Sequence, residues 1–95
     1  MRTLIWGKTF VKAFKRTVKK SLLVRRQLEE TLRRLENDPF APSLATHKLK
    51  GNLAGLWACR AGYDLRIVFE FVNTENSAEE SIFLLEVGTH EEVYW

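Results

Sequence analysis

The sequence predicts an α+β fold in the order β-α-α-β-β-β, with a helical hairpin packed on a small antiparallel sheet. Three observations predict it: a short N-terminal apolar run stopped by a glycine, two stretches with apolar residues at three- and four-residue steps, and three later runs rich in aromatic and β-branched residues. The chain has 95 residues, 45% of them apolar. That is enough for one small core and too little for two, so residues 1–95 are read as a single domain.

Thr3-Leu4-Ile5-Trp6, followed by Gly7, reads as a strand ending in a turn. From Thr9, taken as an N-cap, Phe10, Ala13, Phe14, Thr17 and Val18 mark one face of a helix. Ser21 either interrupts this helix or caps a new one. Val24, Gln27, Leu28, Thr31, Leu32 and Leu35 then repeat the helical period up to Asn37-Asp38-Pro39. Residues 38–52 contain both prolines and read as a connecting loop with few core positions. Residues 53–60, 65–72 and 81–87 read as three antiparallel strands, with 73–78 a polar turn. Along 65–72, Leu65, Ile67, Phe69 and Phe71 form an apolar face, while Arg66, Val68, Glu70 and Val72 form a mixed one.

Composition narrows the function classes. The lone cysteine, Cys59, has no internal disulfide partner, and two histidines without a cysteine cluster cannot build an ordinary closed zinc site. No signal peptide or membrane span is visible, and a reducing cytoplasm suits this cysteine usage. Charge is strongly polarised. Residues 1–66 hold all 15 Lys and Arg against five acids, a net +10, whereas residues 67–95 hold seven acids and no Lys or Arg, a net −7. Such a basic half is either a solvated surface or an electrostatic footprint for nucleic acid. Lys12, Lys15, Arg16, Lys19 and Lys20 repeat at helical steps along one side of the first helix.

Chemistry-bearing residues gather in three places: His47-Lys48-Leu49-Lys50-Gly51, the run Gly62-Tyr63-Asp64-Leu65-Arg66-Ile67-Val68-Phe69, and the closing Val87-Gly88-Thr89-His90-Glu91-Glu92-Val93-Tyr94. In order and spacing these resemble the RelE/ParE superfamily of bacterial toxins, and within it the RelE and YafQ branches that cut mRNA on the ribosome. The resemblance covers nearly the whole chain. It implies a RelE-like fold, a cognate antitoxin, and phosphodiester cleavage by the ribose 2′-hydroxyl without a metal or other cofactor.

The resemblance also implies roles for residues. His90 matches a general acid or base, and Arg66 matches an arginine that steadies charge on the phosphate. His47 and Asp64 match positions used by the YafQ-like branch, and Tyr94 matches a C-terminal aromatic near the reacting nucleotide. Lys48, Lys50 and Arg60 are expected to hold the RNA backbone, and Lys12, Lys15, Arg16 and Lys19 to meet ribosomal RNA. Two departures leave the general base open: this chain has Arg60 where the YafQ-like branch has a histidine, and Leu65 where it has a tryptophan. His47 or Asp64 takes that role, or arginines carry the mechanism as in the RelE branch.

Each residue also has a plain structural reading. Arg66 can pair with Glu70 along its strand or with Glu86 across the sheet. Asp64 can cap a turn, and Tyr94 and Trp95 can form a packing lid. Trp57 and Tyr63 read as core or sheet-face packing, and Cys59 as a buried strand thiol. The alternative functions are a ParE-like toxin that poisons gyrase by binding, or a noncatalytic nucleic-acid-binding module.

Overall fold

The computed structural model describes residues 1–75 and 78–94. Its elements are β1 (Leu4–Trp6), α1 (Lys8–Val18), α2 (Leu22–Asn37), β2 (His47–Lys48), β3 (Trp57–Arg60), β4 (Leu65–Val72), β5 (Ser81–Thr89) and α3 (His90–Tyr94). Five strands form one sheet in the order β1-β5-β4-β3-β2. The α+β class and the helical hairpin on a sheet stand as expected, but the sheet is mixed. β1 runs parallel to β5, whereas the other neighbours are antiparallel. An apolar run does not encode strand direction, and here nearly the whole chain serves as the long connection that parallel pairing requires.

Helix α1 starts at Lys8 with Gly7, not Thr9, as its cap. Glycine is needed there because the chain passes hard against β5: a Cβ on Gly7 would lie 2.7 Å from the Leu84 carbonyl oxygen. Phe10, Ala13 and Thr17 face inward. Ser21 caps α2, its hydroxyl accepting from the backbone N–H groups of Leu23 and Val24, which ends one helix and starts the next. Leu28, Leu32 and Leu35 of α2 join Phe10 and Ala13 over Ile67, Phe69, Ile82, Leu84 and Val87, and this is the main core.

Several boundaries differ from the sequence reading. Residues 38–52 are not a plain loop: Leu44 is fully buried in the core, and His47–Lys48 pairs with β3. Residues 51–53 form a 3₁₀ turn, so β3 starts only at Trp57. β5 runs two residues past the expected end, to Thr89. Within it, an irregularity at Val68/Phe69 of β4 shifts the register, so that Val68 faces Glu86 while Phe69 faces Leu84. This bulge leaves Leu85 as an extra residue and lets both Leu84 and Val87 point into the core. The expected turn over 73–78 includes Asn76 and Ser77, which lie outside the described residues, as does Trp95.

Candidate active site

The helices cover one face of the sheet and leave the other for α3. Cys59 and Ile67 are paired and lie in the main core, so their sequence neighbours point to the opposite face. There Ala58 and Val68 form a second cluster with Val93, the anchor of α3. Two residues along the strands, Arg60 stands directly opposite Arg66, and Arg66 stands opposite Gly88. Neither arginine is in an ion pair among the described residues. Arg66 does not pair with Glu70 or Glu86: its Nη1 donates to the Leu65 carbonyl at 2.9 Å, and Glu86 accepts from the Val87 N–H. Like charges directly opposite on a sheet repel, so this pair costs stability as it stands.

The tail of the sequence builds the other wall. Thr-His-Glu-Glu at 89–92 is a capping box: the Thr89 N–H donates to Glu92 Oε1 at 2.8 Å, and the Glu92 N–H donates to the Thr89 hydroxyl at 3.3 Å. The Thr89 N–H holds the Glu92 carboxyl below its ordinary pKa, helped by the Thr89 hydroxyl and by Lys20 and Arg16. Gly88 makes room for this cap, since a Cβ there would lie 2.8 Å from Glu92 Oε1. The tail is therefore an ordered helix through Tyr94, and nothing in the apolar periodicity announces it. The Thr-x-x-Glu spacing is the signal that finds it.

His90 and Tyr94 are one helical turn apart on α3, with ring centroids 4.5 Å apart in an edge-on contact. Burial raises the Tyr94 phenol above its ordinary pKa, an effect opposed by the nearby positive charge of Arg66. Its hydroxyl is shielded from solvent and has no hydrogen-bond partner among the described residues. Asp64, exposed, is the next position beyond the Leu65–Thr89 pair on β4, as His90 is on β5. His47 lies on the same face as Arg66, since it pairs with Ala58, which pairs with Val68. Strand spacing puts its Cα about 12 Å from that of Arg66. The Ala45 carbonyl lies 2.9 Å from His47 Nδ1. A carbonyl only accepts, so the neutral ring carries its proton on Nδ1 and keeps Nε2 as the basic nitrogen.

The fold thus gathers Arg60, Arg66, His90 and Tyr94, with Asp64 at the same end of the sheet and His47 on the same face. It does not gather the remaining basic candidates with them. Lys48 points to the other face, its ammonium 5.5 Å from the Trp57 ring centroid. Lys50 precedes the 3₁₀ turn at 51–53. Lys12 and Lys15 on α1 and Lys19 just past its end are exposed, across the sheet from Arg66, and of that stripe Lys20 and Arg16 come near enough to Glu92 to act on it. Trp57 packs edge-on against Phe40 and Phe71 as a sheet-face residue. Cys59 is buried, and burial pushes its thiol up to about 12, which makes it a poor nucleophile. Tyr63, by contrast, is not a packing residue: it is 93% exposed. Among the described residues no three His, Cys, Asp or Glu side chains form a metal-binding group, and no helix is long and apolar enough to cross a membrane.

Comparisons with known proteins agree with this architecture. The structure resembles YafQ from E. coli strain BL21(DE3) at a TM-score of 0.76 and 16% identity, each chain covered completely. It resembles a metal-bound toxin from Helicobacter pylori at 0.74 and 31% identity, over 99% of this chain and all of that one. In the E. coli DinJ-YafQ toxin-antitoxin complex the match has a TM-score of 0.73 at 16% identity, over 99% of this chain and 98% of that one. No curated protein sequence matches the chain. The family of bacterial toxins of type II toxin-antitoxin systems typified by YafQ matches residues 2–94, and the chain belongs to that family.

Proposed function

We propose that this toxin is a ribosome-dependent mRNA endonuclease of the cytoplasm, a metal-independent enzyme that arrests translation and is held inactive by a cognate antitoxin. The observation that carries the reading is the unneutralised Arg60–Arg66 pair beside the His90–Tyr94 contact. A phosphodiester seated on the two guanidiniums relieves their repulsion, and it meets a titratable ring and a phenol in the same place. In the reaction, a base takes the proton of the ribose 2′-hydroxyl, the 2′-oxygen bonds to the adjacent phosphorus, and the bond to the 5′-oxygen breaks. An acid protonates that oxygen, leaving a cyclic 2′,3′-phosphate and a 5′-hydroxyl.

His90 serves as the acid. His47, through its free Nε2, or Asp64 serves as the base, and Arg66 steadies the charge that builds on the phosphorane. Tyr94 stacks on a base, or turns its ring so that the hydroxyl, shielded in the free protein, donates to the phosphate. Arg60 holds the RNA backbone at the site, while the basic residues outside it, Lys48, Lys50, Lys12, Lys15, Arg16 and Lys19, hold the flanking RNA and meet ribosomal RNA. The DinJ-YafQ complex supports an antitoxin partner for this chain as well.

Primer extension on a defined mRNA, with and without translating ribosomes, tests the reading. New 5′ ends are expected with ribosomes and wild-type protein, and His90→Ala should reduce them at least about 100-fold. Growth arrest that survives His90→Ala without cleavage would sink the nuclease reading in favour of a toxin that acts by binding.

A further inference from the structure

Tyr63 sits at the tip of the hairpin that carries both arginines. The Ala61 N–H donates to the Leu65 carbonyl at 2.9 Å and closes the hairpin just past the Arg60–Arg66 pair, leaving Gly62, Tyr63 and Asp64 as the loop. Both stems are fixed, because Ala61 is buried and Leu65 packs against the main core. Gly62 supplies the bend at φ +130°, and a Cβ there would lie 3.2 Å from the Gln27 amide oxygen, so the loop is also held against α2. Glycine and aspartate meet the needs of such a loop, whereas a tyrosine contributes nothing to it. Its ring is 93% exposed and has no ring contact or hydrogen bond among the described residues. The hairpin thus holds a solvated aromatic ring three residues from each of two unpaired guanidiniums, a backbone reach of about 10 Å.

We propose that Tyr63 is a substrate-positioning residue: a platform on which an unpaired base of single-stranded RNA stacks while Arg60 and Arg66 hold the neighbouring phosphate. This rests on the endonuclease reading and deepens it by separating the contact that holds the backbone from one that holds a base. An aromatic face beside a cationic groove is the general means of binding single-stranded RNA. Stacking of this kind tolerates any base and gains most from the larger purine ring.

The test uses a ribosome-bound mRNA with 2-aminopurine next to the cleaved position, in a cleavable form and in a form blocked by a 2′-O-methyl group. Wild-type protein should quench the 2-aminopurine in the blocked RNA. Tyr63→Ala and Tyr63→Leu should lose the quench and lower kcat/KM on the cleavable RNA about 5- to 150-fold, while Tyr63→Phe retains both. Unchanged urea midpoints for all three variants separate these effects from misfolding. Wild-type cleavage with Tyr63→Ala equal to wild type overturns the platform and leaves the nuclease reading standing, even where Tyr63→Ala weakens antitoxin binding. Absence of cleavage and of quenching for wild type and Arg66→Gln alike overturns both.

Discussion

The sheet has two faces built on opposite principles. Beneath α1 and α2, Ile67, Phe69, Leu84 and Val87 are fully buried among large apolar side chains. On the other face, Ala58, Val68 and Gly88 are small or slender, the cover is the five-residue α3 with Leu49 and Leu56 from the segment between β2 and β3, and two arginines face each other with no ion pair among the described residues. One face holds the fold together. The other keeps two like charges opposite each other, an arrangement that costs stability and that the proposed function turns to use. Substitutions should therefore separate the faces: changes to the first alter unfolding, and changes to the second alter activity.

The largest effect on folding is expected from Phe69→Ala. Its ring is fully buried and contacts Phe71 edge-on, so truncation should cost about 3–5 kcal/mol in urea unfolding. For a chain of 95 residues this is a large part of its total stability. Three positions along the same strand, on its other face, the half-buried Arg66 gives the contrast, and Arg66→Gln should change unfolding by less than about 1 kcal/mol. The same substitution should lower ribosome-dependent cleavage about 10²–10³-fold, because the glutamine keeps hydrogen bonding and loses the charge. Equal losses of stability in the two variants would erase the distinction between the faces.

A smaller effect is expected at α3. Thr89→Ala removes the hydroxyl that accepts from the Glu92 N–H, and the cap is worth about 1 kcal/mol. Stability should fall by roughly that amount, and cleavage by more than stability, because His90 and Tyr94 are aligned only while α3 is wound. Restoring the hydroxyl with Thr89→Ser should recover both. A Thr89→Ala protein with full activity would mean that the helix does not position the pair.

These contrasts also explain what the sequence disclosed. The inner face was legible because it is periodic: Phe10, Ala13 and Thr17 on one helix, Leu28 and Leu35 on the next, and alternate residues of β4 all fell on the expected side. Gly7 hid the true start of α1, because its role comes from the proximity of Leu84, far away in sequence. The buried Leu44 and the pairing of His47 were illegible for the same reason, being long-range contacts of a stretch with no period of its own. On the outer face, the identities of Arg66, His90 and Tyr94 came through resemblance, but their assembly did not. It depends on the Arg60–Arg66 register, the bulge at Val68/Phe69 and the capped turn of α3. Tyr63 was misread as packing because composition alone cannot separate a buried aromatic from one at the tip of a hairpin.

The subtlest difference between the faces is in their response to pH. The inner core has no titrating side chain apart from Cys59, which burial holds neutral. The outer face depends on Glu92, whose carboxyl is held below its ordinary pKa by the Thr89 N–H. A group depressed in the folded state adds stability above its unfolded pKa and loses it as pH falls through the folded one. The cap should therefore be intact at neutral pH and fail in acid, loosening α3 while the core persists. Followed by NMR, the Thr89 amide and the Val93 methyls should shift together on acidification, with the Phe10 and Phe69 rings unmoved over the same range. In Glu92→Gln the amide should lose this acid transition, since the glutamine oxygen accepts the same hydrogen bond without titrating. If the transition persists in Glu92→Gln, another carboxyl controls α3, and Glu91, its neighbour in the first turn, becomes the residue to replace.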